Sequence, residues 1–159
     1  MLKHYFIIFF ISMVPLIELR GAIPYAVAFD LPMGISYAIC IIGNMIPVPF
    51  IFFFARKVLE WGADKKIIGP FFTFCLKKGH KGGKKLEEKA GKGLFIALLL
   101  FVGIPLPGTG AWTGTLAASI LDMDFKTSVI AVVLGVVLAG VIMGLASAGL
   151  FGSLGAVIG

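Results

Sequence analysis

The sequence predicts an all-α integral membrane protein: an inverted repeat of two units, each a re-entrant helical hairpin plus a long transmembrane helix, joined by a basic cytoplasmic loop. Three observations predict it. First, 59% of the 159 residues are hydrophobic and 14% charged, with a mean hydropathy of +1.05; soluble domains run to about 45–50% apolar and about 25% charged. A soluble chain this short leaves too much surface exposed to hide that apolar content in one core. Lipid must therefore be the solvent for much of it, which excludes a soluble enzyme, a disulfide scaffold and a disordered tail. Second, 11 of the 14 basic residues fall between Arg56 and Lys92, beside four acids. Third, prolines and glycines cut the flanking apolar stretches into arms too short to cross a bilayer.

The first unit covers residues 4–55. Lys3 and His4 precede a hydrophobic stretch over 5–17, as in a signal peptide, but Glu18-Leu19-Arg20 puts charge where a small-residue cleavage site belongs. The segment is expected to be retained. Its arms are 5–14 and 21–29, separated by a break running from Pro15 through Gly21 to Pro24. Ten helical residues reach only about 15 Å, half the hydrocarbon thickness. Proline removes a donor and glycine admits positive φ, so the chain is expected to turn back midway. Residues 33–54 then form a full span, which Pro47 and Pro49 should kink.

Residues 56–92 read as cytoplasmic by the positive-inside rule rather than as a nucleic-acid surface. Within them, 67–76 is too short to span and is expected at the interface, anchored by Trp61, Phe71, Phe72 and Phe74. Lys77, Lys78, Lys81, Lys84 and Lys85 would meet anionic lipid head groups, at about 1 kcal/mol each. The glycine-rich run over 79–85 lacks the Walker spacing and reads as a hinge. Cys40 and Cys75 form no Cys-x-x-Cys pair, and His4 and His80 stand alone. No metal or cofactor is expected.

The second unit, 93–159, repeats the plan: arms at 94–102 and 109–121, a break at Pro105-Leu106-Pro107-Gly108-Thr109-Gly110, and a span over 128–150. Gly140, Gly144 and Ala148 give that span a small-residue face suited to close helix packing, within the monomer or in a homo-oligomer. An offset of 92 residues lays Pro15 on Pro107, Asp30 on Asp122, Leu31 on Met123 and Gly43 on Gly135. A re-entrant hairpin does not change sides whereas each long span does, so the hairpins would enter from opposite faces. If the first hairpin instead crosses fully, the N-terminus is cytoplasmic and the symmetry is lost. Broken helices meeting near the midplane of an inverted repeat are a recurrent transporter plan.

Glu18 and Arg20 are the ionisable pair set well inside an apolar stretch. A charge at the bilayer centre costs about 2.5–3.5 kcal/mol on insertion scales, so a partner or a role is expected. In an extended break they face the same way and could form a structural salt bridge; alternatively they serve a proton or substrate site. Glu18 suits reversible proton binding, and Arg20 can offer a fork to phosphate or carboxylate. The equivalent break of the second unit offers Thr109, Trp112, Thr113 and Thr115 with Gly108, Gly110 and Gly114, and the offset puts Trp112 at the place of Arg20. Asn44, deep in the first span, could hydrogen-bond across. Asp30, Asp122 and Asp124 lie where the hairpins return to the surface, where capping or solvation accounts for them. No Ser, Cys or Thr is visibly paired with a base, so enzymatic activity is not expected.

The strings Pro15-x-x-Glu18-x-Arg20-Gly21-Ala22-Ile23-Pro24, Gly43-Asn44-x-x-Pro47 and Ile104-Pro105-Leu106-Pro107-Gly108-Thr109-Gly110-Ala111-Trp112-Thr113-Gly114 resemble the small multidrug export protein family over almost the whole chain. That family is similar, more distantly, to the DedA and VTT-domain membrane proteins. The resemblance implies opposed re-entrant hairpins in a prokaryotic cytoplasmic membrane and transport of lipid-linked phosphates between leaflets. It also implies a functional acid in the first hairpin, which Glu18 matches, and arginines around the second, which this sequence lacks. The expected function is a small DedA-like, proton-coupled transporter binding its substrate between the hairpin tips. The alternatives are a multidrug or small-solute exporter and a non-transporting scaffold.

Overall fold

The computed structural model describes residues 2–70, 73, 74, 77 and 93–158, and all regular structure among them is helical. The helices are α1 (Leu2–Met13), α2 (Glu18–Ala28), α3 (Met33–Met45), α4 (Pro47–Ala63), α5 (Gly93–Gly103), α6 (Ala111–Ile120) and α7 (Phe125–Ile158). Two stretches are long and apolar enough to cross a membrane: Met33–Ala63, which joins α3 and α4, and Phe125–Gly149 within α7. At the kink expected at Pro47, Ile46 keeps helical dihedrals (φ −57°, ψ −46°) and its N–H bonds to Ile42 O at 3.1 Å, so the ladder loses bonds only at the prolines that follow. Pro47 and Pro49 supply no N–H there. The lysines over 78–85, together with Phe71, Phe72, Cys75 and His80, lie outside the described residues, so the lipid-head-group expectation falls there for all but Lys77.

The four short arms appear as expected, with one correction. The first break is residues 14–17 only; Gly21 and Pro24 lie inside α2, not in the break. The helix starts early because Glu18 and Arg20, in its first turn, are both anchored from outside it. Pro24 then costs one ladder bond, to the Arg20 carbonyl. Gly21 has no Cβ because one would overlap the Ile17 side chain.

The 92-residue correspondence extends to the backbone. Positive φ occurs at Leu16 (70°), Glu18 (53°) and Asp30 (50°), and again 92 residues later at Gly108 (81°), Gly110 (137°) and Asp122 (60°). Asp30 and Asp122 are the left-handed residues that end α2 and α6. Asp30 N–H bonds to Val27 O and Leu31 N–H to Ala26 O, and Asp122 and Met123 repeat this on Ser119 and Ala118. Both corners are Schellman motifs. Asp124 instead caps α7, accepting from the Thr127 N–H at 3.0 Å and from its hydroxyl at 3.1 Å. Those two bonds hold its carboxyl below the usual carboxylate range, so the cap is present at neutral pH and lost as pH falls through that depressed value.

Packing follows the same correspondence. α1 lies on α3 and α5 on α7, while the second arms cross over: α2 packs on α7 and α6 on α4. Gly43 and Gly135 permit the first pair of contacts. A Cβ at Gly43 would stand 2.7 Å from Phe9 O, and one at Gly135 2.8 Å from Leu99 O. Gly140 serves packing within the chain: a Cβ there would lie 2.6 Å from Tyr37 Cζ, and the Tyr37 hydroxyl donates to Val137 O at 2.7 Å. Gly140→Ala is therefore expected to lower stability by about 1–3 kcal/mol through overpacking. Gly144→Ala, whose nearest neighbour would be Met33 Cε at 3.8 Å, should be near neutral. Thermal unfolding of both variants in detergent checks the difference.

Candidate functional site

A helix end leaves backbone groups without intrahelical partners, and in hydrocarbon no water replaces them. Four such ends meet at the two breaks. α6 begins after Gly110 with no side-chain cap of its own. Its first two N–H groups donate to one carboxylate from the other unit: Ala111 N to Glu18 Oε2 at 3.1 Å, and Trp112 N to Glu18 Oε1 at 3.0 Å. Glu18 is 2% exposed. Its positive φ aims the carboxylate there and costs about 1–2 kcal/mol of backbone energy. Two charge-assisted bonds at about 1.5–3 kcal/mol each outweigh that cost, and a negative charge at the positive end of the helix dipole adds to them.

Arg20 does the converse at the end of α5. Nη1 donates to Leu106 O (2.6 Å) and Thr109 O (2.8 Å), and Nη2 to Val102 O (3.1 Å), Ile104 O (3.3 Å) and Thr109 Oγ1 (2.8 Å). The guanidinium therefore gathers the carbonyls of the second break into one hub, at the negative end of α5. Trp112, at the place of Arg20 in the 92-residue correspondence, makes the reciprocal contact: its Nε1 donates to Met13 O, the last residue of α1, at 3.1 Å. Each second arm thus secures the end of the other unit's first arm.

The structural salt bridge between Glu18 and Arg20 is corrected by this geometry. Among the described residues the ion pairs within 4.0 Å are those of Arg56, with Glu60 at 3.3 Å and with Asp122. Glu18 and Arg20 face different helix ends: the left-handed backbone at Glu18 turns its carboxylate to the start of α6, while Arg20, two residues on in the first turn of α2, reaches the end of α5.

Of the other candidates, Thr109, Gly108 and Gly110 join this junction, and Pro15, Pro105 and Pro107 lie in the breaks around it. The Thr113 hydroxyl turns back to Gly110 O at 3.5 Å. Asn44 is fully buried, and neither its Oδ1 nor its Nδ2 has a hydrogen-bond partner; the Thr115 hydroxyl and Arg20 Nε share that state. Ser119 Oγ donates to Phe52 O (2.7 Å) and Arg56 reaches Asp122, so α4 and α6 run parallel. Within α4 that register sets Val48 level with Thr115.

Sequence reasoning missed the cap and the carbonyl hub, and one signal was present. Gly110-Ala111 offers no Ser, Thr, Asp or Asn to start α6, so an acceptor had to come from elsewhere. The Arg56–Asp122 pair, 66 residues apart, left no such signal.

Gly110 tests the junction. A Cβ there would lie 2.7 Å from Glu18 Oε1, and its backbone (φ 137°, ψ −172°) is essentially reserved for glycine. Gly110→Ala should destabilise by about 3 kcal/mol or more, from strain and overlap together. Gly108→Ala, which meets nothing within 4 Å, should cost only about 1–2 kcal/mol of backbone strain. Glu18→Ala should cost about 1–3 kcal/mol for each N–H it orphans. Unfolding midpoints in detergent should rank the three accordingly.

A family model described as "Putative small multi-drug export protein" matches residues 18–142. No curated protein and no solved structure matches the chain. The matched region starts at Glu18 itself and takes in the carbonyl hub, Asn44 and most of both membrane-span candidates. With its apolar helices, the molecule is a membrane protein, and it belongs to the small multidrug export protein family.

Proposed function

We propose that the protein exports small amphiphilic solutes across a prokaryotic cytoplasmic membrane. Its two units are inverted copies whose re-entrant hairpins, α1–α2 and α5–α6, enter from opposite faces and meet at the Glu18 cap. Support for two copies comes from the positive-φ residues repeated at an offset of 92 and from the exchange of second arms; one long span in each copy is what inverts the second relative to the first. Arms of 10–12 residues reach about half the hydrocarbon thickness. Met33–Ala63 leads into the basic segment, which the positive-inside rule places in the cytoplasm. Opposed hairpins are also what the resemblance to DedA and VTT-domain proteins implies.

The observation that carries the reading is one carboxylate joining the two hairpin tips. A path between the tips opens only when Glu18 releases the Ala111 and Trp112 N–H groups. Adding a proton to Glu18 removes its charge and turns one acceptor oxygen into a donor, which weakens the cap and couples opening to a proton. Arg20, always charged, keeps the second break folded as the tips separate. The buried Asn44 amide, which has no hydrogen-bond partner, is a further polar group open to a solute once the helices part. A lipid-linked phosphate is a poorer fit, because Arg20, the one arginine at the breaks, already gives Nη1 and Nη2 to carbonyls and to Thr109.

Proteoliposomes loaded with ethidium and given an imposed pH gradient test this. Wild-type protein should release the dye under the gradient, and Glu18→Gln, which keeps an acceptor but cannot exchange a proton at pH 5–8, should cut the rate at least tenfold. No gradient-dependent release by wild type, or an unchanged rate in Glu18→Gln, would overturn the reading.

A further inference from the structure

The two Schellman corners differ in what fills them. At the second corner Asp122 is bound by Arg56, Ser119 donates to Phe52 O, and the Phe52 ring packs edge-on against Phe125 at 5.2 Å between centroids. The corner holds a cation and an aromatic ring, both supplied by α4. The 92-residue correspondence maps Ser119, Asp122, Met123 and Phe125 onto Val27, Asp30, Leu31 and Met33, and maps Phe52 and Arg56 onto Gly144 and Ala148. Those six residues, Val27, Asp30, Leu31, Met33, Gly144 and Ala148, line an open cavity of about 260 Å³. Where one corner has a ring and a guanidinium, the other has a hydrogen and a methyl group. Asp30 is exposed and makes no side-chain hydrogen bond or ion pair with the described residues.

We propose that this cavity is a binding site for a small aromatic cation, a ring carrying an amidinium, guanidinium or ammonium group, that takes the place held by Phe52 and Arg56 at the other corner. The ring rests on Leu31, Met33 and the bare Gly144 face, and its cation pairs with the Asp30 carboxylate. The cavity lies at the start of α3, and about 46 Å of helix separates that point from the basic end of α4. It therefore opens on the face of the molecule opposite the basic segment. The inference rests on the two-unit correspondence that also underlies the proposed export, but it concerns equilibrium binding and stands or falls without transport.

Calorimetric titration of the purified full chain in detergent at pH 7.5 tests it, with benzamidinium as probe, benzamide as its neutral counterpart and guanidinium as its ringless one. Saturable one-to-one binding of benzamidinium is expected, with both controls at least tenfold weaker. Asp30→Asn keeps a residue that accepts the left-handed corner and should weaken benzamidinium binding at least tenfold. Ala148→Arg rebuilds the filled corner from within and should abolish binding while raising the unfolding temperature. Equal binding of benzamide, or wild-type affinity in both variants, would overturn the assignment. Ethidium release that persists while benzamidinium fails to bind would reject this site and leave the export reading standing.

Discussion

A buried helix end must find partners for its backbone, and this fold is organised around that need. Breaking a helix inside an apolar layer exposes N–H and C=O groups that lipid cannot satisfy. The molecule meets it with two side chains from one turn of α2. Glu18 takes the N–H groups that open α6, and Arg20 takes carbonyls at the end of α5 and in the break after it. Without them the second break would hold orphaned polar groups. The charges are tolerated in turn because each lies against a helix dipole of opposite sign and is hydrogen-bonded several times over.

Around that junction the two units interlock. First arms pack on their own unit's long helix at Gly43 and Gly135, where the missing Cβ lets backbones approach. Second arms cross to the other unit's long helix, carrying Glu18, Arg20 and Trp112 with them. An arm of 10–12 residues is marginal as an isolated helix. Each here is fixed by what it caps and by what it packs against. The bonds that join the two breaks are few and concentrated at one place.

The 92-residue correspondence also shows where the two halves differ. Trp112 replaces Arg20 because the end of α1 asks for one donor, at Met13, while the carbonyls after α5 ask for several. Phe52 and Arg56 fill one corner, whereas Gly144 and Ala148 leave the other open.

The sequence by itself determined the solvent, the arms and the corners. Hydropathy, proline and glycine act over a few residues, so the break at Pro105 to Gly110, the paired Gly43 and Gly135, and the turns at Asp30 and Asp122 were all legible in it. It also marked Glu18 and Arg20 as charges that had to be answered. What answered them was decided by tertiary structure: Glu18 meets a helix start 93 residues away, and Arg20 meets carbonyls 82 to 89 residues away. That anchoring, absent from any local pattern, is also why α2 runs through Gly21 and Pro24 where the sequence alone predicts a break. Local chemistry fixes where a chain can bend; which orphaned groups then face one another depends on how the bent pieces pack.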